Sequence, residues 1–504
     1  MLFPLQRIFL LGLIVALLVT GAQPQTTQQS SEKKQPPTAA GSPPPIKWNG
    51  LNVSGTWRLR PEFWGWFEAP NRDANYAFVQ SILRLAIGQQ RKGWDWQIEL
   101  AQPTLLGLPE NAVAPAPAGQ LGLGATYYVS NGASRNAAFI FPSKAFIKLK
   151  NLGGRSNDLT LGRFTFVDGT ETTPQNKTLA SLKQTRIAHR LLGDFGFSVT
   201  GRSQDGVRFS ANAGSSNLTF AAARPTRGVF QVDGLGELDV SWEYGALTVP
   251  VGTKTSAGEL RVFGLGYQDV RGVLKTDNRP AVMRTGLDQL ENINIGTFGF
   301  HYLHALETNS GTFDFLLWAA GQTGQWGLQN HRAGAVALEG GWQPKNTSLK
   351  PWLRAGYFVS TGDGNPTDSD HNTFFSVMPT PRIYARYPFF NQMNNTDAFV
   401  SLMLRPGKLT VRTDAHALWL TSRKDLWYQG GGAFQPRTFG YTGRPSTGAR
   451  GLGNLWDVSA DYQVSRNLTI GGYFGHVFGK GVPKNIYSGE QDSNFGYVET
   501  VVRF

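Results

Sequence analysis

Hydrophobic and polar residues alternate one by one along most of this chain, the period of a β-strand rather than of a helix. In residues 455–464, Trp456, Val458, Ala460, Tyr462 and Val464 share one face, and Asp457, Ser459, Asp461 and Gln463 share the other. In 409–419, Leu409, Val411, Ala415, Ala417 and Trp419 oppose Arg412, Asp414 and His416. Trp94, Trp96, Ile98 and Leu100 oppose Asp95, Gln97 and Glu99, and Trp57, Leu59, Phe63 and Phe67 oppose Arg58, Arg60, Glu62 and Glu68. The pattern returns at 81–88, 298–304, 312–318 and 352–359. These runs last about ten residues, the length of a tilted membrane-crossing strand, whereas globular strands average about five or six. Trp, Tyr and Phe gather towards the ends of the apolar faces, where a membrane interface would hold them. A β-sandwich also alternates, but run length and aromatic placement favour an all-β, closed antiparallel transmembrane β-barrel.

The connections give a second test. Counting back from the C-terminus, long segments (479–494, 423–454, 361–397) alternate with tight turns near Ser465-Arg466 and Pro406-Gly407-Lys408. Outer-membrane barrels show this asymmetry, with long outer loops and short periplasmic turns. The parity places both termini on the periplasmic side and requires an even strand number. About 455 residues at about 25 per strand and connection predict roughly 18 strands, with 16 as the alternative, around a water-filled lumen. A closed barrel has no free edge, so the last strand must pair with the first. The terminal run "NFGYVETVVRF" suits that pairing, because Val498, Val502 and Phe504 face lipid while Tyr497, Glu499 and Arg503 face inward. Phe504 is the candidate assembly signal, read by the barrel-assembly machinery.

Residues 1–22 have the plan of a secretory signal: one charge (Arg7), an apolar run over 8–19, and Thr20-Gly21-Ala22 before the expected cut. Residues 23–47 are a Pro/Gln/Ser/Thr-rich linker with little to bury, expected to be disordered. The barrel domain is then expected to occupy residues 48–504. Composition agrees with a surface partly out of water: 60 of 504 residues are Gly, aromatics are 12% and charged residues only 16%. The chain has no Cys, which excludes disulfides and thiolate metal sites.

Several segments resemble one family. "WDVSADYQVSRNLTIGGYFGHVFGKGVPKNIYSGEQDSNFGYVETVVRF" at 456–504 is similar to the C-terminal signature of the bacterial alginate-export outer-membrane family. "LTLGRFTFVDG" at 159–169, "RIAHRLLGDFGFSVTGRSQDGVRFS" at 186–210 and "GTWRLRPEFWGWFEAP" near the start resemble further parts of it, so the likeness spans 48–504. The resemblance implies a monomeric, 18-stranded barrel that passes an acidic polysaccharide through an arginine-rich lumen, working with periplasmic export components. The long acidic outer loop and the Pro/Gln-rich N-terminus depart from the family pattern.

The residues themselves point towards anions. Arg58, Arg60, Arg84, Lys148, Lys150, Arg354 and Arg412 lie opposite the apolar faces, and Arg163, Arg202 and Arg208 lie in the family-like segments. With Glu62 and Asp414 they form the candidate substrate pathway. Cations inside a pore favour anions, and planar guanidinium groups suit carboxylates. Acids such as Asp95, Glu99, Asp457 and Asp461 supply balance. The expected function is an outer-membrane channel for an anionic polysaccharide. The alternative is a porin taking up small anions or sugars, favoured by a narrow lumen with folded-in loops. A barrel hydrolase is the third reading and requires Ser and His within hydrogen-bond reach at one wall. His416 and Asp414 share a face, but an imidazole and a carboxylate two apart on a strand are too distant to bond directly without bending. No enzyme activity, cofactor or nucleic-acid partner is expected. Asp363, Asp368 and Asp370 in the outer loop 360–374 form a weak candidate Ca²⁺ site without EF-hand spacing. The Gly-rich pieces at 119–128 and 428–434 read as loops.

Overall fold

The computed structural model of the chain describes residues 43–154, 156–284, 290–345, 347–380, 385–389, 391–489 and 491–504. Residues 1–22, expected to be a secretory signal, and residues 23–42 of the expected linker lie outside them. Eighteen antiparallel strands close one barrel. The first nine are β1 (Leu51–Gly65), β2 (Asn75–Gln90), β3 (Trp94–Leu106), β4 (Phe141–Leu149), β5 (Asn157–Phe164), β6 (Gln204–Ala213), β7 (Ser216–Pro225), β8 (Val240–Gly252) and β9 (Ser256–Asp269). The remainder are β10 (Ile293–Glu307), β11 (Gly311–Trp326), β12 (Gln329–Pro344), β13 (Trp352–Ser360), β14 (Asn395–Leu404), β15 (Leu409–Leu420), β16 (Gly451–Gln463), β17 (Leu468–Gly479) and β18 (Asp492–Arg503). A three-residue strand, Ile46–Trp48, precedes β1 and pairs back onto Leu51–Val53, so pairing starts inside the stretch read as linker.

The alternation is resolved as lipid-side and lumen-side faces. Trp57, Phe63, Leu85, Leu100, Val400, Trp456, Phe474 and Val498 point outward and are 41–58% exposed. An apolar belt of that extent is stable against hydrocarbon and not against water. Their neighbours Arg58, Glu62, Arg84, Glu99, Asp457 and Glu499 point inward. Short turns (91–93, 214–215, 253–255, 308–310, 405–408, 464–467) lie at the periplasmic rim, and long loops lie at the other. One outer connection breaks the expected alternation: β11 and β12 are joined by residues 327–328 alone.

The barrel closes between β1 and β18, with Thr56 opposite Arg503 and Gly65 opposite Asn494. Phe504 completes the seam: Gly55 N–H donates to its carbonyl at 2.7 Å, and its own N–H donates to the Gly55 carbonyl at 3.0 Å. Its ring lies over Gly55, where an added Cβ would fall 2.3 Å from a ring carbon. Gly55→Leu, refolded from denaturant into detergent without the assembly machinery, should therefore lower the folded fraction, read as the heat-modifiable band on a gel, and Phe504→Ala added to it should restore folding. Normal folding of the single variant would remove this contact from the closure.

The lumen differs from the water-filled pore expected. Its outer half is packed with the described residues of loops 66–74, 107–140, 165–203, 226–239, 361–394 and 421–450, which bury Trp66, Phe67, Tyr127, Phe195, Phe230, Phe375, Phe389, Tyr428, Phe434 and Phe439 in one cluster. Loops this aromatic bury more by folding inward on each other than by standing in water. The stretch 119–128 is not all loop: Leu123–Ser130 is a helix, α1, buried on Leu123, Ala125 and Tyr127.

Candidate functional site: the lumen and its crossing loop

Loop 165–203 crosses the lumen. Its helix α2 (Lys177–Leu182) starts at Asn176, whose side chain accepts the N–H groups of Thr178 and Leu179. A wider helical turn, Lys183–Ile187, follows. This brings Arg186 and Arg190, four residues apart, onto the Glu339 carboxylate of β12, at 2.8 and 3.4 Å. Arg354 of β13 joins the same carboxylate at 2.9 Å and also pairs with Asp314 of β11. Lys183 meets Glu259 of β9 at 2.8 Å, and Glu171 meets Arg261 of the same strand at 3.0 Å. Burial lowers the Lys183 pKa. Burial raises that of Glu171, but Arg261 and Lys183 outweigh it and hold this carboxyl below its usual range.

The far end of the loop is held by the opposite wall. Arg58 donates to the carbonyls of Gly196 (2.6 Å), Ser198 (2.5 Å) and Phe197 (3.3 Å). Arg60 donates to Phe197 O at 2.9 Å and to Glu499 at 2.8 Å. Arg84 reaches Thr200 O at 3.3 Å. The loop therefore bridges β1 and β2 to β9, β12 and β13. Asp168 fixes its internal hairpin by accepting from Leu191 and Leu192 N–H at 3.1 and 2.9 Å. Burial pushes this carboxyl up to about 6, against the pull of Arg261.

Arg202 ties three loops together. Its guanidinium donates to the carbonyls of Gly193 (3.1 Å), Met378 (3.0 Å), Gly431 (2.6 Å) and Ala433 (3.3 Å). Burial brings its pKa down to about 10.

Below the crossing loop lies a polar cavity of about 490 Å³ that faces the periplasmic rim. Lys144, Lys148, Asp158, Thr160, Arg208, Ser210 and Asn217 line it. Lys148 pairs with Asp158 at 2.8 Å and Lys144 with Glu99 at 2.9 Å. Arg208 makes no ion pair or hydrogen bond among the described residues.

The candidate pathway residues thus divide by position. Arg58, Arg60, Glu62, Arg84, Arg354, Arg412 and Asp414 face the lumen, and most of them brace the loop or one another; Arg412 meets Asp414 at 2.6 Å. Lys148 and Arg208 line the open cavity. Lys150 sits at a short turn with Asp95 at 2.7 Å. Arg202 is enclosed as a clamp. Arg163 is a correction: it has the parity of outward Leu161, 40% exposed, and pairs with Asp205 at 2.6 Å near the outer rim, away from the pathway. Asp363 and Asp368 accept N–H groups of their own turns, from Asn365 and Asp370, and Asp370 meets Asn330. Among the described residues no three His, Cys, Asp or Glu side chains gather as a metal-binding group.

His416 bonds Asp397 on the neighbouring strand at 3.0 Å rather than Asp414. A Ser–His pair does occur: Ser256 Oγ lies 3.1 Å from His304 Nε2, with Tyr302 Oη 2.9 Å from Nδ1. The third group is a phenol, which supplies no counter-charge for an imidazolium.

Sequence reasoning missed Glu339, Arg186, Arg190 and Glu171. Glu339 was findable, since it shares inward parity with Ala335 and Ala337 while Val336 and Leu338 face out.

A closed 18-stranded barrel with an apolar belt and a polar lumen is an outer-membrane channel of the bacterial envelope. Residues 243–479 match the family model described as alginate export, which bears out the resemblance over that stretch. No curated protein matches the chain. Similar solved structures include Acinetobacter baumannii OccAB2, at 10% identity over 90% of this chain and 98% of that one, with a TM-score of 0.55. Pseudomonas aeruginosa OccK1 (OpdK) is 11% identical over 90% and 98%, with a TM-score of 0.51. Pseudomonas aeruginosa OpdK with vanillate is 10% identical over the same shares, also at 0.51. At such identities the likeness is one of fold.

Proposed function

We propose that this channel prefers anions and, with loop 165–203 folded in, passes small solutes rather than polymer. The observation that carries this reading is Arg208. Its guanidinium lies in the periplasmic-side cavity without a carboxylate partner among the described residues, beside Lys144 and Lys148. A lumen cation with no ion pair, acted on by Glu171 and Asp158 only at longer range, raises the local concentration of anions and lowers that of cations. The inward packing of the outer loops supports the small-solute alternative over an open polymer conduit.

Passage of an acidic polysaccharide is the second reading. The match to the alginate-export family over 243–479 favours it, and it requires loop 165–203 to withdraw.

Planar-bilayer recordings test both. Reversal potentials in a salt gradient should show anion preference, and Arg208→Glu should reduce the permeability ratio several-fold without changing the fold. Equal ratios in the two proteins, or a cation preference in the parent, would end the anion reading. Blockade by uronate oligomers but not by neutral glycans would favour the polymer.

A further inference from the structure

The lipid face of the barrel is not an even belt. Across β12 to β16 it is hollowed into an apolar groove of about 570 Å³. Strand register explains the hollow: Gly340, Ala355, Val400, Ala415 and Trp456 fall in one row across the outer surface. Gly340, Ala355 and Ala415 give the row a low floor, and a Cβ added at Gly340 would meet nothing nearer than 3.9 Å. Trp456 closes one end of the groove and Trp342 the other. Both rings are held in place. Trp456 Nε1 donates to Thr413 Oγ1 at 3.1 Å, and Trp342 stacks on Phe313 with centroids 6.2 Å apart.

The groove lies at the periplasmic end of these strands, since Trp342 is two residues from Pro344, where β12 stops. Beneath it run the turns 345–351, 405–408 and 464–467. They carry Lys345, Lys350, Arg405, Lys408 and Arg466, and no Asp or Glu. Arg405 is engaged by the Gln343 side chain at 2.7 Å, while Lys345, Lys350, Lys408 and Arg466 are exposed. Lys345 follows Trp342 by three residues, about 10 Å along a strand.

An apolar groove in the periplasmic leaflet with cations below it matches the two ends of one molecule. We propose that this groove and its turns bind a single anionic phospholipid, one acyl chain in the groove and the headgroup among the lysines. Bulk lipid already surrounds the barrel, so covering apolar surface alone would favour no lipid over another. The headgroup makes the choice, because each Lys or Arg beside an anionic lipid adds attraction. A zwitterionic phospholipid offers the same chains, but its own ammonium offsets its phosphate. A second copy of the chain fits poorly. A two-fold interface would set this patch against itself, cations facing cations. The proposal does not depend on what the lumen passes.

The test is native mass spectrometry of the full-length protein, delipidated in detergent and then given phosphatidylglycerol or phosphatidylethanolamine of identical chains. The parent should retain one phosphatidylglycerol per barrel, with a preference of about ten-fold or more over phosphatidylethanolamine. Gly340→Leu with Ala355→Leu fills the floor with apolar side chains on the lipid face, and should abolish retention while the heat-modifiable band stays folded. Lys345→Gln, Lys350→Gln and Lys408→Gln together leave the groove intact and should bring the two lipids to nearly equal retention. Equal retention of both lipids by the parent overturns the site. So does phosphatidylglycerol retention unchanged in the filled variant, or a preference unchanged in the lysine variant. A two-barrel species lost on filling the floor would give the groove to a second copy and also overturn the lipid.

Discussion

Glu339→Gln should be the most disruptive single substitution in the lumen. Glu339 is a fully enclosed carboxylate shared by Arg186, Arg190 and Arg354. Two of those guanidinium groups belong to the crossing loop and one to the wall, so a single anion fastens one to the other. Removing one member of a buried ion pair costs roughly 3–5 kcal/mol, because the charges left behind keep their desolvation penalty. Here three cations lose a shared counter-charge. Asp314 remains for Arg354, which limits the damage on the wall side. The strands do not depend on this cluster, since the ladder from β11 to β13 is formed by backbone hydrogen bonds. The expected phenotype is therefore a barrel that still inserts and migrates as folded, with loop 165–203 released. Single-channel conductance should rise, and the loop should become open to protease. A variant with parental conductance and parental loop protection would show that the cluster does not hold the loop.

The barrel was legible in the sequence because lipid imposes a strict rule on every spanning strand. Apolar side chains must point out at every second position, and Trp456, Val458, Ala460 and Tyr462 announced β16 without help from the rest of the chain. Closure was legible for the same reason: Phe504 had to pair with something, and it pairs with Gly55. The lumen was less legible. Alternation assigned Arg58 and Arg84 to the inner face but could not show that their donors would be taken by carbonyls of residues 196–200. Those contacts join positions more than 100 residues apart, and no local pattern encodes them. Arg163 was misplaced because it was taken from a family-like segment; its parity with Leu161 would have put it outside. The filled outer half escaped notice because loop aromatics such as Phe434 and Phe439 have no periodicity, and their burial depends on loops meeting from opposite sides of the barrel.

Arg202→Ala should loosen the outer plug by a different route. This side chain serves four backbone carbonyls from loops 165–203, 361–394 and 421–450, so one guanidinium touches all three loops at once. Hydrogen bonds to a charged donor contribute about 1.5–3 kcal/mol each, and buried carbonyls left without donors cost about 1–3 kcal/mol each. These terms do not add, because water can enter the space left by the guanidinium and bond some of the carbonyls. The aromatic packing of Phe195 with Phe230 and Phe434 opposes opening. The balance predicts partial release: larger conductance fluctuations, faster hydrogen exchange in all three loops together, and a barrel of unchanged thermal stability. Arg202→Lys, with three donors on a compact ammonium, should fall between parent and alanine. Faster exchange confined to one loop would mean that the three are held independently and that Arg202 is no clamp. Since Arg202 has no carboxylate within ion-pairing distance among the described residues, the loops are held by a cation and neutral carbonyls. A soluble carboxylate that reached this guanidinium would compete with those carbonyls directly, and conductance of the parent should then rise with carboxylate concentration while that of Arg202→Ala stays flat.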